Sequence, residues 1–286
     1  MNIEALLEKK EQIQVKILRQ LVLKRDKITA QELCEGVNLS RPSIESYLED
    51  ISYLGQMMGK PMEVMRQDNK LALNMAESQS LDEVISFLIQ DSIKYRMLLL
   101  LFEQKNYMIF ELAEALLVSE STLFRKIKEL NKLLSEFELQ IKNNKLLGEE
   151  SQIRYFYYLL FDSLHPKFRP NFLQVTKFQV DFILQLEETL KVTFSESSQD
   201  KLYRWLAITE KRRKLTDIQV TQSLEMKKIY QDDHLYQLLD SLFYQYIYDK
   251  QSKNNCETIF FYSFLLSFFI LDKESYYRFD IFRSKK

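Results

Sequence analysis

Between residues 121 and 132 the chain sets two hydroxyls and four cations at helical spacing: Ser121, Thr122, Arg125, Lys126, Lys128 and Lys132, with Glu129 as the lone anion, a local balance of +3. Hydroxyls, guanidinium and ammonium groups are the donors that phosphate oxygens and base edges accept, so the chemistry these residues could do is recognition, not bond-making. Behind them Leu123, Ile127, Leu130 and Leu134 recur at i, i+4, i+7 and i+11, a stripe that predicts an amphipathic helix with one face packed and the other open. Ser119 is placed to cap that helix. Phe110, Ala113 and Leu117 predict the inward stripe of a short helix before it. Phe137–Ile141 alternates like a half-buried strand, Asn143-Asn144 is a turn pair that tolerates positive φ, and 145–148 returns as a second strand, with Lys142 and Lys145 flanking the tip. Helix, turn, helix and hairpin is the order of a winged helix-turn-helix. A plain amphipathic helix pair with a solvated basic face is the simpler alternative.

The same logic occurs once before. Residues 3–25 predict an amphipathic helix with Leu6, Leu7, Ile13, Ile17, Leu18, Leu21 and Val22 inward. Thr29 and Glu32 form a capping box that opens a short helix, and Arg41-Pro42 opens another with Ile44, Leu48 and Ile51 inward. Gly55 to Met75 can supply a wing. Here the charge is reversed: Arg41 stands against Glu45, Glu49 and Asp50 up to Leu54, a balance of −2 that phosphate repels. Arg41, Ser43, Ser46 and Tyr47 are therefore expected to be either a weak DNA contact or part of a scaffold. Ser80 and Glu83 suggest a further capping box, after a polar break at 76–80 that marks a boundary.

Several features of the central stretch agree with a known family. The run LLSEFELQIKNNKLLGEESQIRYFYYLLF resembles the wing and following helix of the Mga/RofA-type virulence regulators of Gram-positive cocci, with Gly148-Glu149-Glu150 and Ile153-Arg154 at the family's positions, and LLVSESTLFRKIKELNKLL resembles its helix-turn-helix. KLYRWLAITEKRRK at 201–214 resembles the first regulatory domain of that group, of the class (PRD) acted on by the sugar phosphotransferase system. The resemblance, over roughly residues 1–270, implies a mainly α protein of two tandem winged helix-turn-helix units followed by an all-helical PRD-like bundle, at 1–79, 80–150 and 151–286. It implies promoter DNA as partner, a homodimer, activation of surface or virulence genes, and contact with phosphotransferase proteins through His165 or His234. His165 precedes a proline and reads as a turn residue; His234 follows Asp232-Asp233, which would stabilise an imidazolium, and its residues favour an exposed helix-end histidine over a phosphoryl acceptor. Family members usually continue into further domains, so ending at FRSKK implies a short form or a fragment.

Composition narrows the classes. The chain has 286 residues, 46% hydrophobic, a net charge of −1 and a pI near 6.3, so DNA contact must come from local patches. Four glycines and four prolines favour long helices. Cys34 and Cys256 make no metal spacing and are expected as thiols in a reducing cytoplasm. The most apolar run, Thr258–Leu271, is shorter than the roughly 20 residues a spanning helix needs, so it predicts a buried helix and no membrane anchor. Lys211-Arg212-Arg213-Lys214 is either a second phosphate patch or a solvated helix end. No phosphate loop, nucleophile elbow or metal motif is present, and no cofactor or catalytic activity is expected. A tandem winged-helix replication initiator, or an interaction module that has lost DNA binding, are the other readings.

Overall fold

The computed structural model describes residues 2–24, 28–67, 70–103, 107–215, 220–247 and 256–271, with isolated positions at 274 and 279. Arg25, Tyr248, the tip of the first hairpin and the terminal FRSKK lie outside the described residues. The fold is mainly α, and the chain divides into two compact units: 1–99 with 110–130 and 163–169, and 100–109 with 131–162 and 170–286.

In the first unit α1 (Lys9–Lys24), α2 (Ala30–Val37) and α3 (Arg41–Met57) are followed by a hairpin of β2 (Met62–Gln67) and β3 (Lys70–Met75). β1 (Ile28–Thr29) adds to β3, giving the antiparallel order β1-β3-β2, with Met62 opposite Met75. The boundaries follow from their caps. Thr29 and Glu32 close the expected capping box, Asn38 takes the left-handed conformation that ends α2, and Ser40 caps α3 just before Pro42. Ile17, Leu18, Leu21, Leu33, Ile44, Leu48 and Ile51 fill one core, to which α4 (Leu81–Asp91) contributes Val84. The helix expected from residue 3 is a 3-10 turn (Ile3–Leu6) and then α1; Val22 is exposed. At α4 only half the expected box forms. Ser80 accepts from Glu83 N at 3.1 Å, while the Glu83 carboxylate, 2% exposed, turns instead to Lys60 at 2.9 Å and Lys167 at 3.3 Å. α5 (Ile93–Phe102) and α7 (Glu120–Leu134) each run from one unit into the other, with α6 (Ile109–Ala115) between them in sequence.

The second unit holds the hairpin of β4 (Gln140–Lys142) and β5 (Lys145–Leu147), then α8 (Glu150–Asp162), α9 (Lys177–Leu190), α10 (Glu196–Arg212), α11 (Thr221–Tyr230), α12 (His234–Tyr246) and α13 (Glu257–Ser267). Its aromatic runs are largely core, with Trp205 stacked on Phe264 at 4.4 Å and 13° and Phe102 packed on Tyr157 at 4.6 Å, but Tyr244 and Phe269 stand exposed. The apolar run at 258–271 is largely the buried α13. Among the described residues no helix is long and apolar enough to cross a membrane.

Candidate nucleic-acid interface

α6 ends where Leu117 adopts φ +57° and Val118 N donates to Ala113 O, a left-handed stop that turns the chain by about a residue into the next cap. Leu112, Ala113 and Leu116 are buried, whereas Phe110 and Leu117, expected inward, are 54% and 84% exposed. The expected stripe is therefore corrected: the buried face of α6 keeps Ala113 but runs through Leu112 and Leu116, leaving Phe110 outside it, and Leu117, in the left-handed conformation past the helix end, leaves the face on which its spacing would place it.

Ser119 caps α7 as expected, accepting from Thr122 N at 3.2 Å, and its hydroxyl also meets those of Ser121 and Thr122 at 3.0 Å each. Inside, Leu123, Leu130 and Leu134 are buried and Ile127 is half-buried. Outside, Ser121, Phe124, Arg125, Lys128 and Lys132 are exposed at i, i+3, i+4, i+7 and i+11, one continuous stripe along about three turns. Arg125, Lys128 and Lys132 form no ion pair among the described residues, so their donors face solvent.

Lys126 is the exception. Expected on the open face, it is 4% exposed, its ammonium bound to Glu8 and, at 3.2 Å, to Glu129. Lys94, 5% exposed, adds a second ammonium 3.5 Å from Glu129. Burial pushes the Glu129 carboxyl up, but Lys126 and Lys94 outweigh it and hold it below the usual range; burial lowers Lys94. Lys126 is a structural cation and leaves the list of DNA donors. Its neighbour Phe124, absent from that list, stands exposed in its place. The 3.6-residue period carries the signal for both: Phe124 lies one turn from Ser121 and Lys128, and Lys126 one turn from Leu123 and Leu130.

The hairpin after α7 turns on Asn143 and Asn144 at φ +50° and +58°, the two-residue turn expected, with Lys142 paired to Lys145 across it. Lys142 is exposed and Lys145 half-buried. Two further residues fix the hairpin. Asn131, in the last turn of α7, accepts from Ile141 N at 2.6 Å and donates to Ile141 O at 3.0 Å, a pair of hydrogen bonds to the strand backbone. Gly148 sits at φ +149°, where an added Cβ would lie 2.3 Å from Leu139 Cδ2. Asn131 shows in sequence as an amide interrupting an apolar run, a signal easily read as surface.

In the first unit the corresponding helix, α3, offers less. Arg41 is exposed but 3.9 Å from Glu45, which also takes Arg66; Asp50 holds Lys10 at 2.8 Å. Ser43 is bound to the Ser40 cap at 2.9 Å between hydroxyls, Ser46 is exposed, and Tyr47 packs half-buried on the core. The acidic face expected there is present, with Glu45 and Asp50 paired and Glu49 exposed.

The 211–214 patch is not one surface. Arg212, fully buried, donates through Nε and Nη2 to Glu150 at 3.0 and 2.6 Å and through Nη1 to Phe102 O at 2.9 Å. Arg154, also fully buried, reaches Glu150 at 2.8 Å and Glu257 at 2.9 Å. Two arginines thus answer two carboxylates. Burial pushes the Glu150 carboxyl up, yet Arg154 and Arg212 together hold it below its ordinary range. Arg213 donates to Ile247 O at 2.7 Å, leaving Lys211 and Lys214 exposed. The two histidines separate likewise: His165 is half-buried, with Nδ1 accepting from Lys167 N at 3.4 Å, and His234 is exposed at the first position of α12. Among the described residues no cluster of His, Cys, Asp and Glu is arranged to hold a metal.

A capped helix reached through a left-handed turn, with a packed face, a cationic face and a hairpin behind it, is a helix-turn-helix unit. Comparison with known families gives the same region a particular kind: residues 77–161 match the Mga helix-turn-helix domain. Over 212 residues the chain is 23% identical to the capsule synthesis positive regulator AcpA of Bacillus anthracis, an alignment that takes in 73% of this chain and 43% of that protein. The chain thus spans less than half the length of that relative. The likeness to Mga-type regulators expected from the sequence is borne out for this central region.

Proposed function

We propose that the chain is a DNA-binding transcription regulator without catalytic activity, and that α7 is its reading helix in a winged helix-turn-helix. One observation carries this reading: the exposed stripe Ser121–Phe124–Arg125–Lys128–Lys132, with three cations that no carboxylate of the described residues neutralises. In the major groove Arg125 presents the fork that pairs with guanine O6 and N7, and Phe124 offers an apolar contact to a thymine methyl. Ser121, Thr122, Lys128 and Lys132 serve phosphates along the groove, and Lys142 and Lys145 a backbone beside the hairpin. The paired face of α3 favours a lesser DNA role for Arg41, Ser43, Ser46 and Tyr47.

Activation, rather than repression, is supported by the likeness to a positive regulator of capsule synthesis. A homodimer, binding two half-sites, gives such a reader its avidity. His234, exposed at the first position of α12, is the more accessible of the two histidines, which supports it over half-buried His165 as a phosphoryl acceptor.

The test is recovery of genomic DNA fragments by the wild-type chain and by Arg125→Ala/Lys128→Ala. Wild type should retain a few promoter-like fragments at about 0.2 M salt, where non-specific contacts have weakened. The double variant, equally folded, should lose them. Retention of the same fragments by the variant would remove α7 from the reading role, and recovery of one repeat-rich origin would favour a replication initiator.

A further inference from the structure

The first unit has a concave feature that recognition of DNA leaves unused. Glu8 and Glu11 at the start of α1, Asp50 in α3 and Asp91 at the end of α4 line an open cleft of about 320 Å³. Lys10, the lone cation of that lining, is committed to Asp50, and Lys126 reaches Glu8 from outside it, so four carboxylates meet two ammonium groups and a negative balance remains. The walls are apolar: Leu54, Phe87 and Leu88 lie against the core, and Tyr53 and Met57 stand 62% and 55% exposed at the mouth.

Two carboxylate oxygens of this cleft lack donors. Glu8 Oε1 and Glu11 Oε2 are buried oxygens without a hydrogen-bond partner, although Glu8 Oε2 holds Lys126. Gln14, three residues beyond Glu11 on the same face, is 6% exposed; its side-chain amide makes no hydrogen bond among the described residues and, unlike the two carboxylate oxygens, keeps access to the open cleft. Buried polar atoms are almost always paired, and leaving one unmade costs about 1–3 kcal/mol. Two carboxylate oxygens and one amide left open in a single cleft define what would complete it: a group with several donors and a positive charge. An ammonium has three donors and no acceptor. Anions, including nucleotides and carboxylic acids, are repelled by the same four carboxylates. The volume lies at the small end of ordinary ligand sites, and the walls suit a hydrocarbon or aryl body.

We propose that this cleft binds a small organic cation, a primary amine on an apolar body, with its ammonium at Glu8, Glu11 and Gln14 and its body against Phe87 and Met57. The bound ammonium shares Glu8 with Lys126, whose backbone lies in α7 next to the exposed Arg125, so occupancy is felt at that helix.

The inference is tested on the full chain by calorimetric titration with 4-phenylbutylamine, with 4-phenylbutanol and butylamine as the neutral and the body-less controls. The amine should bind saturably and tighter than about 1 mM, and the two controls at least about tenfold more weakly. Glu11→Gln, a half-buried and nearly isosteric change, should weaken the amine about tenfold and leave the alcohol unchanged. Met57→Ala, at the exposed mouth, should weaken the amine several-fold with no loss of fold. Absence of saturable binding by the amine, equal binding of amine and alcohol, or an unchanged affinity in Glu11→Gln would overturn the proposal.

Discussion

Replacing Arg212 by Met removes one of the two cations that neutralise Glu150 and Glu257, in a site where Arg212, Arg154 and Glu150 have no solvent exposure. Methionine keeps much of the length and apolar contact of the arginine stem, so the change is mainly one of charge and donors. Three hydrogen bonds go: two to Glu150 and one to Phe102 O. Glu150 keeps the single bond from Arg154 Nε, and the cluster passes from neutral to −1. Removing one partner of a buried pair costs about 3–5 kcal/mol, because the other charge stays desolvated. Trp205, the sole tryptophan, lies in α10 with Arg212, so its fluorescence during urea unfolding reports on this unit. With a urea slope of about 2–3 kcal/mol per molar, the midpoint should fall by about 1–2 M. The sign of the pH effect follows from Glu150. In the wild type its folded pKa is lowered, so its contribution is present above the unfolded pKa and is lost as pH falls through the folded value. In Arg212→Met, burial acts against one arginine only, and the folded pKa rises. The penalty should therefore be largest at neutral pH and shrink towards pH 5, as Glu150 takes up a proton. Glu150→Gln together with Arg212→Met should recover part of the loss. A midpoint shift below about 0.3 M, or a penalty that does not change with pH, would refute the view of this cluster as a charge-balanced structural centre.

Gly148→Ala should destabilise the hairpin by about 1–3 kcal/mol, since the added methyl meets Leu139 in a backbone conformation that side chains rarely adopt; hydrogen exchange at Ile141 and Leu146 would register it. Asn131→Ala should free the same strand by removing both bonds to Ile141, with faster exchange there and little change in the first unit. Lys60 is the leading cause of the lowered Glu83 carboxyl, so Lys60→Met should destabilise above the usual carboxylate range and matter less in acid, where wild-type Glu83 is itself protonated. Burial raises the Cys256 thiol, at 1% exposure, and thiol reagents should modify half-buried Cys34 well ahead of it.

The local grammar of the chain was readable from its residues. Ser119 before a periodic run, Thr29 three residues from Glu32, and paired asparagines between short alternating strands each act over four or five positions, and each forms as expected. What the sequence did not disclose depends on partners distant in the chain. Lys126 meets Glu8, 118 residues away, and Arg212 meets Glu150, 62 residues away. A cation on a helix looks the same whether its carboxylate is water-bound or folded against it. Leu117 differs for another reason: its left-handed conformation breaks the period that spacing assumes, while Phe110 simply lies off the buried face that Leu112 and Ala113 set. The Glu149-Glu150 and Ile153-Arg154 features that carried the family likeness include two members of the buried charge cluster, so part of that likeness marks core architecture and not DNA contact.

The most direct measurement of the central claim is the salt dependence of binding to one recovered fragment, for wild type and for Lys128→Ala/Lys132→Ala. If these two lysines neutralise phosphates from the open face of α7, the slope of log affinity against log salt should fall by about 0.9 for each, so by about 1.8 in the double variant. Lys126→Ala, by contrast, should lower stability and leave the slope of the folded protein nearly intact. An unchanged slope in the double variant, or a drop confined to Lys126→Ala, would contradict the assignment of α7 as the DNA-reading helix.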